Sequence, residues 1–92
     1  MSTIALSQRH SKNPDEVREM LNQLAEKLDQ RYDLKSRWLS DSQLELQRSG
    51  VKGRLTLTGS EVKVEIKLGM LMSPFKSKIQ DEISRAMAEK LA

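Results

Sequence analysis

The chain has 92 residues, a formal net charge of +3, 32% charged and 37% hydrophobic residues, three aromatic residues and no cysteine. A chain of this length is expected to be one domain, residues 1–92, that buries roughly two-thirds of its unfolded surface and leaves little room for a deep cleft. Without cysteine there is no disulfide framework, thiolate zinc site, iron–sulfur ligation or cysteine nucleophile, and a reducing cytosol is the natural setting.

The segment Met1 to Ser7 has neither a basic start nor a long apolar core, and no apolar run nears the roughly 20 residues that cross a bilayer. A soluble, cytoplasmic protein is expected. Ile4 and Leu6 alternate with Thr3, Ala5 and Ser7, which predicts a short strand over about residues 3–9. Asn13-Pro14-Asp15-Glu16 then offers an N-cap, proline at the first helical position and acids in the first turn, where the helix dipole favours them. The helix runs to about Tyr32, and Val17, Met20, Leu21, Leu24, Ala25 and Leu28 form one apolar stripe.

Two tight turns organise the middle of the chain. With Gly59-Ser60 as a type II′ turn, Leu57 faces Val62, Leu55 faces Val64 and Gly53 faces Ile66. With Ser49-Gly50 as the preceding turn, Arg48 faces Val51, Leu46 faces Gly53, Leu44 faces Leu55 and Ser42 faces Leu57. The apolar residues share one face, and a one-residue slip would put them all in water. Arg54, Thr56, Thr58, Glu61, Lys63, Glu65 and Lys67 make a polar opposite face. Residues from about 37 to 68 are therefore predicted as a three-stranded meander. Ser73-Pro74 starts a second helix with the stripe Phe75, Ile79, Ile83, Ala86, Met87 and Leu91. The expected fold is α+β: a two-layer sandwich with a four-stranded antiparallel sheet, two helices on one face and the order β-α-β-β-β-α.

Little in this sequence supports catalysis, and a non-enzymatic protein without a cofactor is expected. The single histidine, His10, shares parity with Ile4 and Leu6. A lone histidine needs a partner and a pocket to act as a general base. Asp15 and Asp41 are the nearest candidates by topology, whereas capping of the strand-to-helix turn, or packing beside Trp38, explains His10 without chemistry. A small hydrophobic-ligand pocket between helices and sheet near His10 and Trp38 is a further alternative. The acids follow no metal-ligand spacing, so no metal site is expected. Gly50-Val51-Lys52-Gly53 opens a strand, whereas a phosphate loop precedes a helix. Gly50 is expected at positive φ in its turn, and Gly53 where a neighbour packs closely.

Two features remain as interaction candidates. Arg31, Lys35, Arg37, Arg48, Lys52 and Arg54 concentrate basic charge between residues 31 and 54. The α-β-β-β-α portion resembles double-stranded RNA-binding domains in element order, with Lys76 and Lys78 at the start of the last helix. That family's Gly-Pro-x-His loop is missing, the net charge is modest and a strand precedes the first helix, so nucleic acid is the lesser alternative. The second feature is Leu68-Gly69-Met70-Leu71-Met72. Connections run over the surface, so its apolar side chains cannot all turn inward, and exposed apolar patches mark contacts. Met70, Leu71, Met72 and Phe75 are the candidate contact, for a homodimer or a hydrophobic body, with Leu71 the expected core plug if only one methionine shows.

Ile4, Leu6, Arg9-His10, Trp38 beyond Tyr32, Gly50-Val51-Lys52-Gly53, Val62 to Ile66, and Leu68-Gly69 with Met70-Leu71 together carry a family resemblance over about Thr3 to Leu91. The chain resembles the polyhydroxyalkanoic acid system, or granule-region, proteins. The resemblance implies a bacterial cytoplasmic protein linked to polyhydroxyalkanoate inclusions, with the granule surface or granule proteins as partners. It implies no reaction and no catalytic residues.

Overall fold

The alternating pattern between Ser42 and Leu68 folds into antiparallel hairpins in the computed structural model, which describes residues 2–91. The elements are β1 (Ser2–Arg9), α1 (Pro14–Tyr32), β2 (Lys35–Ser40), β3 (Gln43–Arg48), β4 (Val51–Leu57), β5 (Glu61–Leu68), a 3₁₀ turn (Ser73–Phe75) and α2 (Lys76–Leu91). The strands form one antiparallel sheet of five in the order β1-β5-β4-β3-β2. The fold is α+β, with one strand more than expected, and the order is β-α-β-β-β-β-α.

The additional strand arises because the first strand of the expected meander, from about residue 37, is divided by a turn at Asp41–Ser42 into β2 and β3. The β2 residues Lys-Ser-Arg-Trp-Leu-Ser lack alternation because β2 is an edge strand in which only Trp38 is drawn even partly inward. It pairs with β3 from Lys35 opposite Gln47 to Ser40 opposite Gln43, with a register shift between Trp38 and Ser40. The chain reaches this start sharply: Asp33 adopts a left-handed conformation (φ 59°), and its amide donates to the carbonyls of Asp29 and Leu28. Leu34 follows and is fully buried.

Parity and turn length place the central registers where expected. Leu57 lies opposite Val62, Leu55 opposite Val64 and Gly53 opposite Ile66; Arg48 pairs with Val51, Leu46 with Gly53 and Leu44 with Leu55. The Leu57 amide reaches the Ser42 carbonyl at 2.8 Å. Gly50 takes the required positive φ, 83°. Gly59 does not, so the β4–β5 connection is not a type II′ turn. The Thr58 amide and hydroxyl both donate to the Glu61 carbonyl, at 2.8 and 3.1 Å, and so close that connection without a left-handed glycine.

The α1 stripe is buried at all six positions, Val17, Met20, Leu21, Leu24, Ala25 and Leu28, each worth about 1.5–3 kcal/mol for a large side chain. Asn13 caps α1, its Oδ1 accepting from the Glu16 amide at 2.9 Å. In α2, Ile79, Ile83, Met87 and Leu91 are buried. Helix α2 packs along β1, α1 along β2, and the helices touch each other. Together with the inner sheet face they form one core, in which the described residues include no buried polar side chain. Opposite that core, the outer sheet face stays in water.

Candidate functional site

Past Leu68 the chain makes a short hydrogen-bonded knot. The Gly69 amide donates to the Gly50 carbonyl at 2.7 Å, an approach so close that a Cβ at Gly69 would lie 3.3 Å from that oxygen. The Gly69 carbonyl in turn accepts from the amides of Met72 (3.1 Å) and Ser73 (3.0 Å) and from Ser73 Oγ (3.1 Å). Such a turn cannot point three consecutive side chains the same way. Met70 is 84% exposed and Leu71 74%, while Met72 is 4% exposed and joins the core.

Met72 is therefore removed from the expected contact, and it takes the plugging role expected of Leu71. The reason is local: residues 69–73 wind as a turn, so Met70 and Leu71 occupy its outer side and Met72 swings beneath it toward Gly50. Phe75 remains 39% exposed and meets the Tyr32 ring edge-on, with centroids 6.1 Å apart and planes at 63°. Tyr32 also donates to Glu82 Oε2 at 3.4 Å, and Arg31 pairs with Glu82 at 3.2 Å. Partial burial, and then the Glu82 carboxylate, raise the Tyr32 phenol above its ordinary pKa. Met70, Leu71 and Phe75 thus form an apolar tip where β5 gives way to α2, with Phe75 steadied from beneath by α1.

His10 and Trp38 are not brought together. His10 follows β1 and Trp38 sits on β2, the two opposite edges of the sheet; the edges are four strand spacings apart, about 19 Å at about 4.8 Å each, and the register sets Trp38 level with Leu6, four residues before His10. The joint pocket envisaged from sequence does not form. His10 caps the turn after β1: its amide donates to the Ser60 carbonyl at 2.9 Å, and its Nδ1 accepts from the Lys12 amide at 3.2 Å. That leaves Nε2 buried without a partner among the described residues. Trp38 Nε1 donates to Asn22 Oδ1 at 2.8 Å, anchoring the edge strand to α1. An open depression of about 280 Å³ lies there, lined by Asp15, Arg18, Asn22, Trp38 and Asp41. Neither aspartate reaches His10; Asp15 pairs with Arg18, which also donates to the Asp41 carbonyl.

The basic residues between 31 and 54 are largely occupied. Arg31 pairs with Glu82, Lys35 with Asp29 and Asp33, and Arg37 with Glu45, while Arg48 donates to the Tyr32 carbonyl at 2.8 Å. Arg54 sits between Glu45 and Glu65 in the cross-strand register. Strands β1 and β2 also move the topology away from α-β-β-β-α. Among the described residues no group of three histidine, aspartate or glutamate side chains could hold a metal ion, and no helix is long and apolar enough to cross a membrane. A wider groove of about 610 Å³ runs between α1 and α2, its rim mixed in charge, with Lys27, Lys78 and Arg85 among Asp81, Glu82 and Glu89.

Two comparisons with known proteins complete the description. A family model described as "putative polyhydroxyalkanoic acid system protein" matches residues 4–91, from β1 to the end of α2. No curated protein matches the chain significantly.

Proposed function

The chain belongs to the polyhydroxyalkanoic acid system protein family, and from that premise we propose that it is a non-enzymatic binding protein of bacterial cytoplasm. Its Met70–Leu71 tip, with Phe75, contacts the polyhydroxyalkanoate granule or proteins that coat it. The observation that carries this reading is the exposure of Met70 at 84% and Leu71 at 74% on a turn pinned by hydrogen bonds. A loose loop could fold these side chains away; this one holds them in water. Large apolar side chains held out in this way mark a surface that is covered in use. Methionine, flexible and polarizable, suits an irregular apolar surface such as a polyester.

The test is co-sedimentation of the purified protein with isolated granules, comparing wild type with a Met70→Ser, Leu71→Ser double variant. Burial of two large apolar side chains predicts that the variant binds about tenfold more weakly or worse, with an unchanged melting temperature because neither residue is in the core. Equal partitioning of the two proteins overturns the proposal.

A further inference from the structure

The two edges of the sheet are built differently. Edge strand β2 has six residues, carries Lys35 and Arg37, and is broken by the register shift between Trp38 and Ser40. Charges, short length and irregularity are the devices by which proteins keep an edge from pairing with another chain. Edge strand β1 is neither short nor irregular. It runs for eight residues, Ser2–Arg9, in unbroken register with β5 from Ser2 opposite Leu68 to Arg9 opposite Glu61. Its only charge is Arg9, at the end, and it has no proline. Toward the solvated face it presents the small residues Thr3, Ala5 and Ser7, and toward the core Ile4 and the half-buried Leu6. Among the described residues its backbone bonds to β5 and to no segment on the other side, apart from the Arg9 carbonyl, which accepts from Gln8 Nε2.

We infer that the free edge of β1 pairs antiparallel with β1 of a second copy, joining two sheets into one of ten strands. Three observations select a second copy. A β1–β1′ contact is isologous and closes on itself as a dimer, whereas pairing β1 with β2 of the next molecule would run on as a filament. The dimer leaves β2 as the outermost strand at both ends, and β2 is the edge that carries the guards. The sequence is also self-complementary in the one register that pairs Ser2 through Gln8 completely. Ala5 faces Ala5 of the other copy on the solvated side, and Ile4 faces Leu6 on the core side. Leu6 gains an apolar neighbour, and the two Arg9 side chains lie far apart. The contact is made by the β1 backbone; its first residue lies near the tip, the Ser2 and Ser73 hydroxyls being 3.1 Å apart.

The absence of cysteine from the chain makes the register directly testable. Directly opposed residues in an antiparallel pair have Cα atoms about 4.5–5.5 Å apart, within disulfide range. Mild oxidation of an Ala5→Cys variant should therefore give a covalent dimer. Ser7→Cys, which faces Thr3 of the other copy, should not cross-link, and neither should Arg37→Cys on the guarded edge. Sedimentation equilibrium of the unmodified chain should show twice the 10.5 kDa chain mass. Ala5→Lys should weaken the dimer about fivefold or more by opposing two like charges across the axis. Within one copy that lysine lies beside Glu65, so an unchanged melting curve of the dilute protein separates lost association from misfolding. A wild type that stays monomeric at high micromolar concentration overturns the inference. So does a dimer that Ala5→Lys leaves intact, or one that cross-links through Arg37→Cys and not through Ala5→Cys.

Discussion

Met70 and Met72 are two residues apart and chemically identical, yet their exposures, 84% and 4%, predict opposite responses to the same change. Met72→Ala removes a side chain that closes the core near Gly50, where Met72 Cγ lies 3.9 Å from the site a Cβ would occupy. Buried methionine-to-alanine changes cost about 2–5 kcal/mol, depending on how far the site collapses. Met72 keeps 4% of its surface in water at the rim of the core, so the lower part of the range applies, about 2–3 kcal/mol. At about 4–8 °C per kcal/mol for a domain of this size, the melting temperature should fall by about 10–20 °C. Met70→Ala should shift stability by no more than about 0.5 kcal/mol. Thermal unfolding followed by far-ultraviolet circular dichroism, confirmed by urea titration, measures both. Equal shifts, or a larger one for Met70, would refute the division of the turn into an inner and an outer side.

Two further predictions concern the core and the rim. Gly53→Ala would place a Cβ 2.8 Å from Ile66 Cγ1 and 3.3 Å from its Cγ2 on the opposite strand, and overpacking at so fixed a site should cost about 1–3 kcal/mol; because Ile66→Ala removes both of those atoms, Gly53→Ala with Ile66→Ala should cost less than the sum of the two single changes in a urea titration, and a silent Gly53→Ala would contradict the packing. Tyr32 has a phenol raised above its ordinary value by burial and Glu82. Its folded state therefore holds the proton more tightly than the unfolded chain, and that contribution is complete below about pH 10 and lost as pH rises through the folded pKa. Stability measured from neutral to alkaline pH should fall less steeply above about pH 10 in Tyr32→Phe than in wild type; superimposable curves would remove Tyr32 as a cause.

Much of the fold was legible because it depends on period and local chemistry. The α1 stripe, the Asn13 cap, the two hairpin registers and the positive φ of Gly50 each follow from neighbours within a few residues. The separation of β2 from β3 was not legible: an edge strand with one half-buried side chain has no alternation to mark where it ends, and the turn at Asp41–Ser42 that folds it back carries no glycine or proline. The β4–β5 turn differs from the expected type II′ because Thr58 supplies the closing hydrogen bonds and Gly59 needs no positive φ.

The sequence alone determined that one apolar set would separate into a sheet face and two helix stripes, and that the segment after Leu68 held more apolar residues than a connection can hide. Its length, absence of cysteine and weak net charge bounded the protein without choosing a surface for it. Only the tertiary structure decided which side chains of that segment face water. The direction of a side chain in an irregular turn is set by contacts remote in sequence, here the Gly50 carbonyl before β4 holding the Gly69 amide at the end of the neighbouring β5. The separation of His10 from Trp38 was decided the same way, by the placing of their strands at opposite edges. So was the contrast between a guarded β2 and an unguarded β1, which has no meaning until strand order is known.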